Sequence, residues 1–376
     1  MFFAKKVTSK GGFSVFFLDI CHTNDKLPTF KINFKDEKSL MTLGVLALFV
    51  LMAYGQEKKF ALYSVAFYNM ENLFDTIHDE GKNDYEYLPN GTNQWNTMKY
   101  KAKLKNMSEI LSMLSTDKLP MGPAIIGVSE IENYRVLEDI LKQPALADRG
   151  YQYVHYEGAD QRGVDCAFFY NPKLFELTNS KLVPYVYIND TVHKTRGFLI
   201  ASGNIAGEKM HFIVNHWPSR AAASPARERA GEQVRAIKDS LLREDSAAKI
   251  VIMGDMNDDP MDKSMAVALG AKRKPADVGP TDLYNPWWDT LKKGYGTLMY
   301  KGKWNLFDQI VFTGNLLGTD RSTLKFYKHE IFRRDFMFQK EGKYKGYPKR
   351  TQAGGVWLNG YSDHLPTIIY LIKEVK

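Results

Sequence analysis

Cysteine is scarce in this chain: the 376 residues contain two, Cys21 and Cys166. A disulfide framework is thereby excluded, and so is a metal site built from clustered thiolates. Long apolar runs are also few. The one that stands out, Met41–Ala53, is shorter than the roughly 20 apolar residues a membrane span needs. There is no internal repeat, no Ser/Gly linker and no low-complexity tract. Neither sign of charge dominates. The formal net charge is +8, or +5 over residues 56–376, mildly basic and compatible with a phosphate-bearing partner.

The apolar run has the length of a secretory h-region, here residues 43–52. It is followed by Ala53-Tyr54-Gly55, a small-x-small cleavage pattern, with Gln56 next. The expectation is a signal peptide cut near 55/56, with residues 1–55 as an N-terminal extension plus signal. Either Met1 or Met41 can then be the true start. Residues 56–376 form one domain, exported to the periplasm or medium of a bacterium, with no stable membrane anchor after cleavage. Cys166 then stands alone in an apolar, strand-like run, as a buried thiol does.

What is present is a series of short β-patterned runs with few helices between them. Strands are expected at Phe60–Tyr68, Ala124–Val128, Tyr151–Tyr156, Gly163–Tyr170, Lys181–Ile188, Gly197–Ser202, Met210–Val214, Lys249–Met253, Gln309–Phe312, Leu324–Phe332 and Thr367–Ile372. Met98–Leu114 carries apolar residues at helical spacing, as does Pro225–Leu242, where Pro225 suits a first turn. Residues 76–96 are polar and read as an exposed loop. Strict βαβ alternation is missing, which argues against a doubly wound sheet. The pattern predicts an α/β fold, a four-layered sandwich of two packed mixed sheets flanked by helices.

Polar residues collect where these strands end. Asn69, Glu130, Asn215 with His216, and Asp255 with Asn257 follow strands; Asp308 and Asp363 with His364 precede them. Trailing residues of strands running one way and leading residues of strands running the other meet at one edge of a mixed sheet. Each cluster alone reads equally as a polar turn. Together they describe one pocket. Glu130 supplies a hard oxygen ligand, with Asn69, Asp255 and Asp363 as helpers. The scattered histidines favour Mg2+, Mn2+ or Ca2+ over zinc. Such a site suits metal-assisted hydrolysis of a phosphate ester. Arg220 either binds a phosphate oxygen or is an exposed loop arginine.

The motifs Tyr68-Asn69-Met70-Glu71-Asn72, Val128-Ser129-Glu130, Asn215-His216, Gly254-Asp255-Met256-Asn257, Phe307-Asp308-Gln309-Ile310 and Ser362-Asp363-His364 resemble the endonuclease/exonuclease/phosphatase (deoxyribonuclease I-like) superfamily. They stand in its order and span residues 56–376. The resemblance implies Glu130 as main metal ligand, assisted by Asn69 and Asp363. It implies His364 as general base or phosphate-side imidazole, oriented by Asp308. Asp255 would position or deprotonate water, Asn257 would bind phosphate, and His216 would be a general acid; Asn215 and Arg220 are further substrate-binding candidates read from the residues themselves. Asp165 would support the site from its strand.

The stretch 321–350 carries ten Lys/Arg against three acids, interleaved with seven Phe/Tyr. Cations follow a phosphate backbone and aromatics stack on bases. A solvated hairpin with inward-packed rings gives the same pattern. The leading expectation is a monomeric, metal-dependent phosphodiesterase acting on nucleic acid. The alternatives are a phosphatase or phospholipid phosphodiesterase and, more remotely, a non-catalytic binding module.

Overall fold

The backbone of residues 2–8 and 14–20, and residues 58–375 except 189 and 191, are described by a computed structural model. The expected signal segment lies outside the described residues. Two compact units are present, Met1–Lys59 and Phe60–Val375. In the first, β1 (Phe2–Thr8) and β2 (Ser14–Ile20) pair antiparallel.

The second unit is built on two mixed sheets. The six-stranded sheet runs β16 (Lys325–Ile331), β19 (Thr367–Val375), β3 (Lys59–Leu73), β4 (Ile125–Ile131), β6 (Asp165–Tyr170), β5 (Gln152–His155). The seven-stranded sheet runs β11 (Ala271–Lys272), β12 (Leu283–Tyr284), β15 (Asp308–Thr313), β10 (Lys249–Asp255), β9 (Glu208–His216), β8 (Phe198–Ile205), β7 (Phe175–Val183). Two short hairpins, β13–β14 (Leu298–Tyr300, Lys303–Asn305) and β17–β18 (Gln352–Ala353, Val356–Trp357), lie outside the sheets.

Side-chain alternation makes the layers. In β3, Val65 and Phe67 face the other sheet while Ala66 and Tyr68 face the helices. In β10, Val251 and Met253 join the inter-sheet core, and Ile250 and Ile252 join the core under the long helix. Both faces are covered, which is why these strands read as continuous apolar runs. α1 (Thr97–Met113) and α2 (Tyr134–Leu141) cover the six-stranded sheet, and α3 (Ser224–Glu244) covers the seven-stranded one. A four-layered sandwich results. At Gly127 a Cβ would sit 2.6 Å from Met253 Sδ, so glycine permits the sheets to close.

Two expectations change. Lys181–Ile188 is not a strand throughout: β7 spans Phe175–Val183 and ends at Pro184, which lacks the N–H a ladder needs. The loop over 76–96 is not simply exposed. Trp95 is fully buried and donates its indole N–H to Phe74 O at 3.0 Å.

Candidate active site

Strand register assembles the site. Asp255, the last residue of β10, lies opposite His216 in parallel β9 and opposite Asp308 in antiparallel β15. Three functional groups separated by tens of residues therefore share one sheet edge. Gly254 makes the approach possible: a Cβ there would lie 2.3 Å from Asn215 O.

The six-stranded sheet delivers its residues through irregular backbone. The β3–β4 pairing slips after Asn69 and the β4–β6 pairing slips after Ser129. Glu71, Asn72 and Glu130 all take positive φ (45°, 52° and 58°), uncommon for residues with a Cβ. Asn69 Oδ1 accepts the Glu71 N–H at 2.8 Å, a local turn that competes with the ladder. The bulges aim Asn69 and Glu130 out of the sheet. Asn69 Nδ2 then donates to Glu130 Oε1 at 3.1 Å and to Asp255 Oδ2 at 3.0 Å, tying the two sheets together. Glu130 Oε2 accepts the Asn72 N–H at 3.0 Å.

His364 is buried, with Nδ1 2.7 Å from Asp308 Oδ2. Its Nε2 faces the centre, 3.9 Å from Asp255 Oδ2 and 3.9 Å from Asp363 Oδ1. Burial alone would push this imidazole down. The Asp308 and Asp255 carboxylates and the hydrogen bond to Asp308 outweigh it and hold His364 well above its usual range. Burial raises Asp255 to about 7, with Asp308 adding to the rise and His364 opposing it. His216 has the opposite environment. Its Nε2 lies 3.5 Å from Glu130 Oε1 and 3.7 Å from Asp255 Oδ2, and its Nδ1 has no partner among the described residues. Burial first, then Arg196, Arg162 and His364, push it well below its usual range.

Glu130, His216 and Asp255 each offer a ligand atom to one point, and Asp255, Asp308 and His364 to another. The carboxylates of Glu130 and Asp255 converge with no Lys or Arg ion pair to either among the described residues. An oxygen-rich donor set with one imidazole fits a divalent ion.

Other expected residues are placed differently. Asn215 is fully buried; its Nδ2 donates to Ile213 O and Met253 O, and its Oδ1 accepts from Trp217 Nε1, so both ends of the amide serve the backbone and core rather than a substrate. Arg220 binds Asn257 O, Asp258, Asp259 and Asp262 and stacks over Phe307 at 4.4 Å, which occupies the guanidinium that a phosphate would need. Asp165 pairs with His155 Nε2 at 3.2 Å and accepts Gly158 N–H, forming a separate group with Glu157. Asp363 accepts from Arg350 Nη2 at 2.6 Å, in neither group containing Asp255. Asn257 donates to Trp217 O at 3.0 Å beside Asp255. His216 lacks the carboxylate on Nδ1 that would charge it as an acid.

Sequence reasoning missed two arginines. Arg196 is buried and donates to His216 O and Trp217 O at 3.0 and 2.9 Å while pairing with Asp160 at 3.0 Å. Arg350 bridges Asp363 and Glu71, the latter also accepting Thr351 N–H and lying 4.0 Å from buried Lys103. Arg196 stands just before the strand expected at Gly197, where the strand-edge signal could have found it; Arg350 precedes only the two-residue β17, which carries no sequence pattern.

The fold and the motif order are those of a known group. The model of the endonuclease/exonuclease/phosphatase family matches residues 64–373. The chain belongs to that family. It is an enzyme of the phosphoesterase kind. No curated protein sequence matches it. Among solved structures it is similar to an endonuclease/exonuclease/phosphatase family protein from Bacteroides thetaiotaomicron, at 15% identity over 85% of this chain and 98% of that one, with a TM-score of 0.53. It is also similar to the mannosyl-6-phosphatase of the same organism, at 14% identity over 82% and 99%, with a TM-score of 0.51. A third likeness is to ANGEL2, a 2',3'-cyclic phosphatase, at 12% identity over 85% and 99%, with a TM-score of 0.52. At these identities the structures testify to the fold.

Proposed function

We propose that the chain is a divalent-metal-dependent phosphodiesterase that acts on nucleic acid. The observation that carries the hydrolytic chemistry is Asp255, in register with His216 and Asp308 and hydrogen-bonded through Asn69 to the other sheet. Glu130, with His216 beside it, would hold the ion, Mg2+ in the simplest reading. When bound, a divalent cation neutralises charge that develops on the phosphate. Asp255, raised to about 7, is suited to take a proton from an attacking water near neutrality. The Asp308–His364 pair keeps an imidazolium with Nε2 turned to the centre. It donates to a phosphate oxygen and would give its own proton to the leaving alcohol oxygen as the P–O bond breaks, while the proton from water stays on Asp255. This reading moves the acid role from His216 to His364.

Nucleic acid is favoured over a small ester by the surface of residues 325–350. Phe326 and Phe332 pack inward, but Tyr327, Phe336 and Tyr344 are exposed among lysines and arginines. Rings with one accessible face beside cations suit bases and phosphates. Export, with cleavage near 55/56 and the remaining chain as one catalytic domain acting as a monomer, is part of the same reading; N-terminal sequencing of exported protein beginning at Gln56 tests it.

The decisive assay is a panel of plasmid DNA, RNA, sphingomyelin, a sugar phosphate and bis-p-nitrophenyl phosphate, with and without EDTA. The expected result is EDTA-sensitive cleavage of polynucleotide and diester, restored by Mg2+ or Mn2+. Intact DNA and RNA alongside a hydrolysed sugar phosphate or sphingomyelin would transfer the protein to the phosphatase or lipid-diesterase reading.

A further inference from the structure

Arg333 carries a charge that the fold has not neutralised. It lies just after β16, in a segment that the catalytic residues do not use. Its guanidinium is boxed by three rings: Trp304 at 4.9 Å, Phe338 at 5.0 Å and Tyr295 at 5.6 Å. No carboxylate pairs with it among the described residues, and its buried Nη1 has no hydrogen-bond partner. A half-buried guanidinium with one buried nitrogen unsatisfied and no counter-charge carries a cost that stacking against rings offsets only in part. Burial accordingly lowers its affinity for the proton. The edge of the guanidinium still has donors to satisfy.

Beside it is a cavity of about 400 Å³, lined by Arg333, Arg334, Lys340 and Lys345, with Asp335 the one acid among the lining residues. Arg334 is stacked on Phe332 at 4.1 Å and also donates to Arg333 O at 2.9 Å, so the rim is partly held in place. The 338–348 turn that carries Lys340 and Lys345 is closed by paired backbone bonds, Gln339 N–H to Tyr347 O and Gly346 N–H to Gln339 O. Four cations against one carboxylate around a concave volume select an anion, and guanidinium matches phosphate geometry.

The cavity shares its supports with the active site. Phe332 N–H bonds Pro366 O, two residues beyond His364. Trp304 belongs to the β13–β14 hairpin, whose Leu298 bridges directly to His364. Lys349 N–H bonds Met337 O, and the next residue, Arg350, grips Asp363. One rim therefore borders both places.

We infer that the Arg333 cavity is a subsite for a second, non-scissile phosphate of the substrate. The inference rests on the phosphoesterase reading and deepens it: the substrate carries at least two phosphates, and a polynucleotide supplies the second from its backbone. The cavity holds that phosphate while another phosphate of the same substrate reaches His364. The same chemistry is offered by a polyphosphorylated small molecule, which the test separates.

The test is binding by the full chain in EDTA, independent of turnover. Fluorescein-labelled dT12 and inositol hexakisphosphate are the probes, titrated at several salt concentrations. The variant is Arg334→Gln/Lys340→Gln/Lys345→Gln, all on the rim; its thermal midpoint, compared with that of the unaltered protein, checks folding. A single Arg333→Met substitution gives a second readout inside the box. The expected result is at least a tenfold loss of dT12 affinity and a salt slope shallower by about 0.7, the share of one single-strand phosphate contact. A loss confined to inositol hexakisphosphate keeps the subsite and assigns it to a phosphorylated small molecule. Unchanged affinity and slope for both probes in folded variants overturn the inference. Failure of the unaltered protein to hydrolyse bis-p-nitrophenyl phosphate with any divalent ion would instead sink the phosphoesterase reading, and the binding result would still stand by itself.

Discussion

The two imidazoles of the site face each other across Asp255 and are built in opposite ways. His364 has a carboxylate on Nδ1, and that carboxylate, Asp308, is itself fully buried on the interior strand β15. His216 has no hydrogen-bond partner on Nδ1 among the described residues, and the guanidinium of Arg196 bonds its carbonyl. One environment stabilises imidazolium, the other neutral imidazole. Proximity to the same carboxylate therefore does not make two histidines equivalent. What lies on the far nitrogen decides which carries a proton and which is a neutral donor or ligand.

Breaking the comparison begins with His364. Replacing it with Gln, or Asp308 with Asn, is expected to lower kcat for a diester by about 10²–10⁴-fold, the usual worth of a positioned proton-transfer group. His216→Gln should cost less in kcat and more in metal affinity, read by calorimetric titration of Mn2+. Equal losses in kcat from the two histidine variants, with metal affinity unmoved, would erase the distinction.

The next effect is on stability. Arg196→Met takes the buried guanidinium from Asp160, which keeps Thr195 and the half-exposed Arg162, and removes the side-chain donor from His216 O. Breaking a buried pair from one side costs about 3–5 kcal/mol, measurable by urea denaturation. A change within 0.5 kcal/mol would show that the His216 side needs no such anchor.

A subtler separation comes from pH, with the protein kept in EDTA. A histidine whose folded pKa is raised contributes stability that is full below about 6.5 and is lost as pH rises through its folded value. That is His364. A histidine whose folded pKa is depressed contributes stability that is full above about 6.5 and is lost as pH falls toward its folded value. That is His216. His364→Gln should thus flatten the alkaline limb of the stability curve and His216→Gln the acid limb. Both variants flattening the same limb would contradict the assignment.

The smallest effect expected is at Arg350. Its Nη2 holds Asp363 while its Nε holds Glu71. Arg350→Lys keeps the charge and loses the two-sided grip. A fall of about tenfold in kcat with KM little changed, partly reversed relative to Arg350→Met, is expected for a positioning residue. Identical kinetics in all three proteins would remove it from the site.

Much of this was legible before any coordinates. Gly254-Asp255-Met256-Asn257 and Ser362-Asp363-His364 could be placed at one edge because strand direction and the two-residue repeat of side chains are local properties. The layered fold was legible for the same reason: β10 and β4 are apolar on both faces. The partners of Asn215, Arg220 and Asp165, by contrast, arrive from elsewhere in the fold. Trp217, the Asp258–Asp262 acidic cluster and His155 claim these side chains, and no residue spacing announces such a claim.

The sequence by itself determined which residues stand at strand ends, which faces are apolar, and hence that carboxylates, amides and imidazoles would collect at one rim. Only the tertiary structure decided their protonation and their duties. Those depend on burial and on charges a few ångströms away across two sheets, such as Asp308 behind His364 and Arg196 behind His216. Coulomb energy and desolvation are set by distance in space, and distance along the chain does not report them.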